Sequence, residues 1–161
     1  MLNAIHWLWR GERRVGAHHG DAAATRGKSL DLPVFNALVV DDLPVHRRLL
    51  AGMLKMLFPR VAVDEAGDGY QAQVLLRGGG YDIVLSDWTM PNMDGLQLAG
   101  WLRSGECPRC PFVLFSAHDV AEDVAPLFDM HGIDGYLIKP FDQTAMKQVV
   151  LAAIGVPEAV A

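Results

Sequence analysis

A chain of 161 residues with two cysteines and a net charge of −5 is long enough for one hydrophobic core and too short for two ordinary ones. Two cysteines exclude a secreted disulfide scaffold of this size and point to a reducing compartment, the cytoplasm, and no apolar run approaches the ~20 residues that cross a bilayer. Charge is unevenly divided, five Lys/Arg against three Asp/Glu in residues 1–35 and nine against sixteen in residues 36–161, so the acidic body excludes the clustered basic face of a nucleic-acid-binding surface.

Residues 1–35 read as an extension. Leu2, Ile5 and Trp9 share a helical face, with Trp7 and Leu8 beside them and Arg10, Arg13 and Arg14 following; this predicts one short amphipathic helix, marginal on its own. A frayed tail is favoured there over docking of residues 1–15 on a membrane surface or a partner. His6 and Arg10 interrupt the apolar stretch, which argues against a signal peptide. Residues 16–33 have linker composition, and His18 and His19 lack the further nearby ligands that a metal site needs.

From residue 36 to residue 155 the pattern is regular, with residues 156–161 as a tail. Residues 37–40 predict a buried strand ending in Asp41 and Asp42, and the apolar spacing from 43 to 58, with Pro44 suited to a first turn, predicts a helix. A strand over 61–63 and a helix over 71–76 follow. Gly78, Gly79 and Gly80 come after that helix instead of opening one, so they read as a helix stop and not a phosphate cradle. Residues 82–86 predict the third strand, where an apolar run ends abruptly in Asp87 and Met90-Pro91 and Asp94-Gly95 enforce a loop. A helix over 96–103, a strand over 112–115 leading to Ser116, and a helix over 121–130 stopped by Gly132 come next. The fifth strand, 136–138, leads into Lys139-Pro140, and a helix over 144–154 closes the pattern.

Five strands alternating with five helices imply a doubly wound parallel sheet with helices on both faces and right-handed crossovers. In such a sheet ligands bind outside the carboxyl ends of the strands. Asp41, Asp42, Asp87, Ser116 and Lys139 all stand at those ends, so three acids, a hydroxyl and an amine are expected to converge. Crowded carboxylates repel unless a cation lies between them. Oxygen donors at an exposed crevice suit Mg2+ shared with a phosphate, and lysine and serine supply further charge and hydrogen bonding for an anion beside it. Phosphoryl transfer is the expected chemistry, with Asp87 as the nucleophile that forms an acyl phosphate.

Val39-Val40-Asp41-Asp42, the run from Ser86 to Gly95, Ser116-Ala117 and the run from Gly135 to Phe141 closely resemble the receiver domain of bacterial two-component response regulators, most of all the stand-alone chemotaxis regulators. The resemblance covers residues 36–155 and implies the flavodoxin-like strand order 2-1-3-4-5. It implies that Asp87 accepts a phosphoryl group from a histidine kinase or a histidine phosphotransfer protein. Asp41, directly or through water, Asp42, Asp87 and the backbone carbonyl of Thr89 would organise Mg2+, and Lys139 would bind the phosphoryl group. Ser116 would swing toward it, and Tyr136 would turn inward as the switch. A cis peptide bond at Lys139-Pro140 is implied as well. The output would pass to an unidentified downstream protein through the face of the fourth helix, fifth strand and fifth helix. Asp119, Glu122, Asp123 and Asp129 make that helix acidic and depart from a motor-binding surface. His46, Arg47 and Arg48 on the first helix mark the expected kinase-docking side.

Two other functional readings stand beside this one. A receiver-like scaffold or phosphate sink would need no dedicated output. A thiol-redox role would use Cys107 and Cys110, whose spacing permits a local disulfide or half of a zinc site, although they lie in a loop away from any helix N-terminus that would lower a thiol pKa. Residues Thr89 and His118, each just past a pocket residue, are expected to gate water attack on an acyl phosphate.

Overall fold

A computed structural model describes residues 33–117 and 125–156. Ten elements alternate along the described chain: β1 (Phe35–Val40), α1 (Pro44–Leu57), β2 (Val61–Ala66), α2 (Gly69–Arg77), β3 (Ile83–Asp87), α3 (Gly95–Arg103), β4 (Phe112–Ser116), α4 (Ala125–His131), β5 (Gly135–Ile138) and α5 (Gln143–Ala153). The five strands form one parallel sheet in the order β2-β1-β3-β4-β5. That order reverses between β1 and β3, which opens a crevice at their carboxyl ends.

The apolar runs of the central strands are continuous because both sheet faces are covered. Successive side chains point to opposite faces. Phe35, Ala37 and Val39 of β1, Ile83 and Leu85 of β3, and Val113 and Phe115 of β4 therefore pack with Leu50 and Leu54 of α1 and Met146, Val149 and Val150 of α5. Leu38 and Val40, Val84, and Phe112 and Leu114 face the other way, against Ala72 and Leu76 of α2 and Leu98, Ala99 and Leu102 of α3. An edge-to-face contact between Phe35 and Phe58, with ring centroids 5.2 Å apart, ties the start of β1 to the exit of α1.

Helix starts follow local chemistry. Asp68 caps α2 by accepting from Gln71 N at 2.8 Å, and Asp142 caps α5 by accepting from Ala145 N at 2.8 Å. At α3 the bonding is reciprocal. Asp94 accepts from Gln97 N at 2.7 Å, and Gln97 Oε1 accepts from Asp94 N at 3.0 Å, which forms a capping box. Helix α1 starts without a side-chain cap and carries a proline in its first turn.

The strand β2 continues to Ala66, three residues past its expected end, because its full length pairs with the six residues of β1. The exposed Asp64 and Glu65 on this sheet edge break the apolar pattern that would have marked the extension. Helix α4 is described from Ala125; the expected start at 121, and His118, Asp119, Glu122 and Asp123, lie outside the described residues. So do the expected amphipathic helix, the linker histidines and the tail beyond 156. Among the described residues no helix is long and apolar enough to cross a membrane.

Gly95 opens α3 directly beneath the site. A Cβ built there would lie 2.4 Å from the Asp87 carbonyl oxygen and 2.6 Å from Leu114 Cδ1, both inside the packed interior. Gly95→Ala is expected to destabilise by about 1–3 kcal/mol through overpacking, read as a lowered urea midpoint with unchanged slope. A midpoint equal to that of the parent would mean that the β3–α3 junction relaxes freely.

Candidate functional site

The carboxyl ends of β1 and β3 bring Asp41, Asp42 and Asp87 together, one carboxylate oxygen of each lying within 4.8 Å of the others. Asp41 is fully buried. Its Oδ1 accepts from Leu43 N at 2.8 Å and so folds the β1–α1 loop back on itself, while Arg47 Nη1 donates to the Asp41 carbonyl at 2.6 Å. Arg47 Nε also lies 3.5 Å from Glu65 on β2. The guanidinium thus clamps the loop between α1 and the sheet edge.

From the far side, the lysine after β5 reaches in. Lys139 Nζ lies 2.9 Å from Asp87 Oδ1 and 3.5 Å from Asp41 Oδ2. Its backbone N–H donates to the Ser116 carbonyl at 2.7 Å, so the ends of β4 and β5 are fastened where the lysine leaves the sheet. The Lys139–Pro140 bond is cis, as the resemblance implies. The lysine, expected to bind an anion, is itself paired with Asp87 here.

Ser116 is buried at the end of β4. Thr89 is exposed two residues past Asp87, on the loop that the Gly95 N–H closes by donating to the Trp88 carbonyl at 2.8 Å. Tyr136 on β5 is half-buried, with its ring tilted against Phe128 of α4 at 5.1 Å, and Phe128 meets Trp88 at 6.4 Å. An aromatic row therefore runs from the residue after Asp87 to β5. Sequence reasoning did not find this row, because its middle member sits on a helix whose partner residues are distant in sequence.

His46, on the expected kinase-docking side, leans toward the pocket, its Nδ1 3.5 Å from Asp41 Oδ2. The signal was available: helical side chains tilt toward the helix N-terminus, and the third residue of α1 therefore leans back over the β1–α1 loop. Cys107 and Cys110 are free thiols in the connection between α3 and β4, before the amino end of β4. Burial pushes the Cys110 thiol up to about 11 and raises that of Cys107 as well, so both stay protonated near neutral pH and neither has the character of a redox nucleophile.

Asp87 has its pKa raised, first by burial and further by the Asp41 charge; the Lys139 hydrogen bond and charge oppose this without cancelling it. A carboxyl whose folded pKa is raised stabilises the fold fully below its ordinary value, about 3.8, and loses that contribution as pH rises through the folded value. In metal-free buffer Asp87→Asn should therefore melt above the parent at pH 7, and the gap should close as pH falls toward 3.8. Thermal melts across that window check it; a gap independent of pH would assign the effect to packing.

The comparisons with known proteins agree with this geometry. The model of the response regulator receiver domain matches residues 37–151. The chain is similar to chemotaxis protein CheY-3 of Vibrio cholerae, 33% identical over 113 residues that cover 69% of this chain and 85% of that protein. It is 32% identical over 114 residues to chemotaxis protein CheY of Pseudomonas aeruginosa, covering 70% and 90%. Among solved structures, the receiver domain of a sensor histidine kinase from Pseudomonas aeruginosa PAO1 superposes with a TM-score of 0.66 at 27% identity, covering 76% of this chain and 99% of that one; it holds a magnesium ion in its active-site cleft. With its sheet order, its acidic crevice and these matches together, the chain belongs to the response regulator receiver domain family.

Proposed function

We propose that this protein is a single-domain response regulator in which Asp87 accepts a phosphoryl group from a histidine kinase or a histidine phosphotransfer protein. The observation that carries the reading is the meeting of three carboxylates within 4.8 Å with an ammonium group 2.9 Å from Asp87. In the reaction a carboxylate oxygen of Asp87 attacks phosphorus, the phosphorus–nitrogen bond of the phosphohistidine breaks, and the electron pair leaves on the imidazole, which keeps or gains its proton. The product is an acyl phosphate on Asp87. The protein is then a switch that assists its own labelling, not a conventional enzyme.

The all-oxygen donor set of Asp41, Asp42 and Asp87 fits Mg2+, and the Thr89 carbonyl would be a further ligand, as the resemblance implies. When bound, the ion neutralises charge that builds on the transferring phosphoryl oxygens. The remaining roles fall to side chains. Lys139 exchanges its bond to Asp87 for one to the phosphoryl group, and Ser116 donates its hydroxyl to the same group. Lys139 and Ser116 are joined through backbone, so a shift at the serine is felt at β5 and its Tyr136. The switch reads out on the face of α4, β5 and α5 to an unidentified downstream protein.

The kinase side is assigned to α1. Val45, Leu49 and Met56 are exposed along one line of that helix, with Leu43 at its start and Arg48 and Lys55 beside it. Residues spaced by four and seven share a helical face, and an apolar line at the rim of the pocket suits a helix that carries the donor histidine. The receiver unit is assigned to residues 36–155 with residues 1–35 as an extension, and the compartment to the cytoplasm. A scaffold without phosphate chemistry would not need all five pocket residues, and every one of them is present.

Incubation with acetyl phosphate and Mg2+ is expected to add one phosphoryl mass to the intact parent and none to Asp87→Asn. Mg2+ should raise the melting temperature relative to EDTA, and Asp42→Ala should melt above the parent in EDTA because one of the repelling charges is gone. Labelling of Asp87→Asn, or coincident melts in Mg2+ and EDTA, would remove the assignment.

The lifetime of the acyl phosphate depends on in-line attack by water. Thr89 is short and exposed at the pocket rim, which leaves that path open. Thr89→Arg should slow decay of the phosphorylated protein after donor is removed, by roughly tenfold if steric access governs it. Equal decay constants for the two proteins would free Thr89 of that role.

A further inference from the structure

Resting on the magnesium reading above, we infer that Arg47 is a positioning residue for the ion and not a ligand: it holds the peptide unit between Asp41 and Asp42 so that the two carboxylates keep the spacing an octahedral cation needs. That stretch of backbone is fixed from several sides. Asp41 N donates to the Ala66 carbonyl at 3.2 Å, Asp41 Oδ1 accepts from Leu43 N at 2.8 Å, and the Asp41 carbonyl accepts from Arg47 Nη1 at 2.6 Å. The carbonyl belongs to the peptide bond that leads into Asp42, so its direction sets where the Asp42 side chain starts.

The guanidinium is itself held in place for this bond. Arg47 N closes the first turn of α1 by donating to the Leu43 carbonyl at 3.1 Å, and the side chain then turns back over the β1–α1 loop. Glu65 Oε2 on β2 lies 3.5 Å from Nε, and a Cβ built at Gly67 would stand 3.5 Å from Nη1, so the end of β2 and the loop after it close the other side of the group. Nε is buried with no hydrogen bond among the described residues. A buried donor left unmade opposes folding, so the seat of this side chain favours the Nη1 bond to the carbonyl over full pairing of the guanidinium.

Positioning and charge act here with opposite signs. A guanidinium beside a dication site repels the ion, so loss of its charge alone would tighten every dication. Loss of the carbonyl's anchor would instead loosen the spacing of Asp41 and Asp42. Mg2+ demands near-ideal octahedral geometry at about 2.0–2.1 Å, whereas Ca2+ accepts irregular shells at about 2.3–2.6 Å. Mg2+ therefore has more to lose than Ca2+.

The full-length parent, Arg47→Met, Arg47→Lys, Arg60→Gln and Asp42→Asn are titrated with Mg2+ and with Ca2+ by calorimetry, and backbone amide exchange is followed in EDTA. Arg60 is exposed between α1 and β2, at the other end of the sheet, and controls for net charge. Groups that orient metal ligands contribute about 10–100-fold in affinity. Mg2+ affinity is expected to fall roughly tenfold in Arg47→Met and about threefold in Arg47→Lys, with smaller losses for Ca2+ and parental values in Arg60→Gln. In both Arg47 variants the Leu43 amide should exchange faster while those of β1 stay protected. Arg47→Lys retains the charge and decides the matter if Arg47→Met does not fold. Mg2+ affinity equal to or above the parent's, equal losses for the two ions, or an unaltered Leu43 amide would overturn the assignment. If Asp42→Asn leaves Mg2+ binding unchanged, the magnesium reading fails and the role of Arg47 falls with it, an outcome distinct from Asp42-dependent binding that ignores Arg47.

Discussion

The bond between Lys139 and Asp87 is the constraint on which the rest of the structure depends. Three carboxylates at one sheet edge would drive the loops apart, and an ammonium 2.9 Å from one and 3.5 Å from another offsets part of that repulsion. The lysine can reach them because β5 lies beside β4 and β4 beside β3, and because its own N–H is pinned to Ser116. Strand order and the backbone bond to the buried serine serve one placement. Asp87 keeps a raised pKa even so, chiefly through burial and further through the Asp41 charge.

Much of this arrangement was legible in the sequence, and for identifiable reasons. An apolar run that stops at an acid reads as a buried strand that delivers the acid to the sheet edge, so Asp41 and Asp87 were expected at the crevice, where they meet. Pro44 and Gly132 marked a helix start and a helix stop through backbone chemistry alone. Legibility ended where contacts are long-range. The capping box at Asp94 read as a loop, because the return bond from Gln97 has no signature beyond its spacing. The second half of β2 was hidden by two charges that face solvent. The pairing of Lys139 with Asp87 joins residues 52 apart, and the turn of His46 toward Asp41 depends on helix geometry and not on residue type.

The two sides of the sheet divide the labour. The layer of α1 and α5 packs Leu50, Leu54, Met146, Val149 and Val150 against β1, β3 and β4, with Phe35, Phe58 and Phe115 among them. The other layer contains the aromatic row of Trp88, Phe128 and Tyr136. Aromatic contacts have few well-packed geometries, so a change at the loop after Asp87 must be taken up by the ring on α4 or the ring on β5. Tyr136 is half-buried, whereas the residues of β1, β3 and β4 on the sheet's other face are buried.

The two outer strands carry a consequence of another kind. At one margin β2 is long but bears Asp64 and Glu65 facing outward, and at the other β5 is only four residues long. An unpaired strand margin is an invitation to another polypeptide, and charge and brevity are two ways of withdrawing it. On the proposed reading, in which successive partners meet the helices, a backbone that discourages capture through its strands lets such encounters end in separation and keeps the strand margins from seeding fibrous assembly.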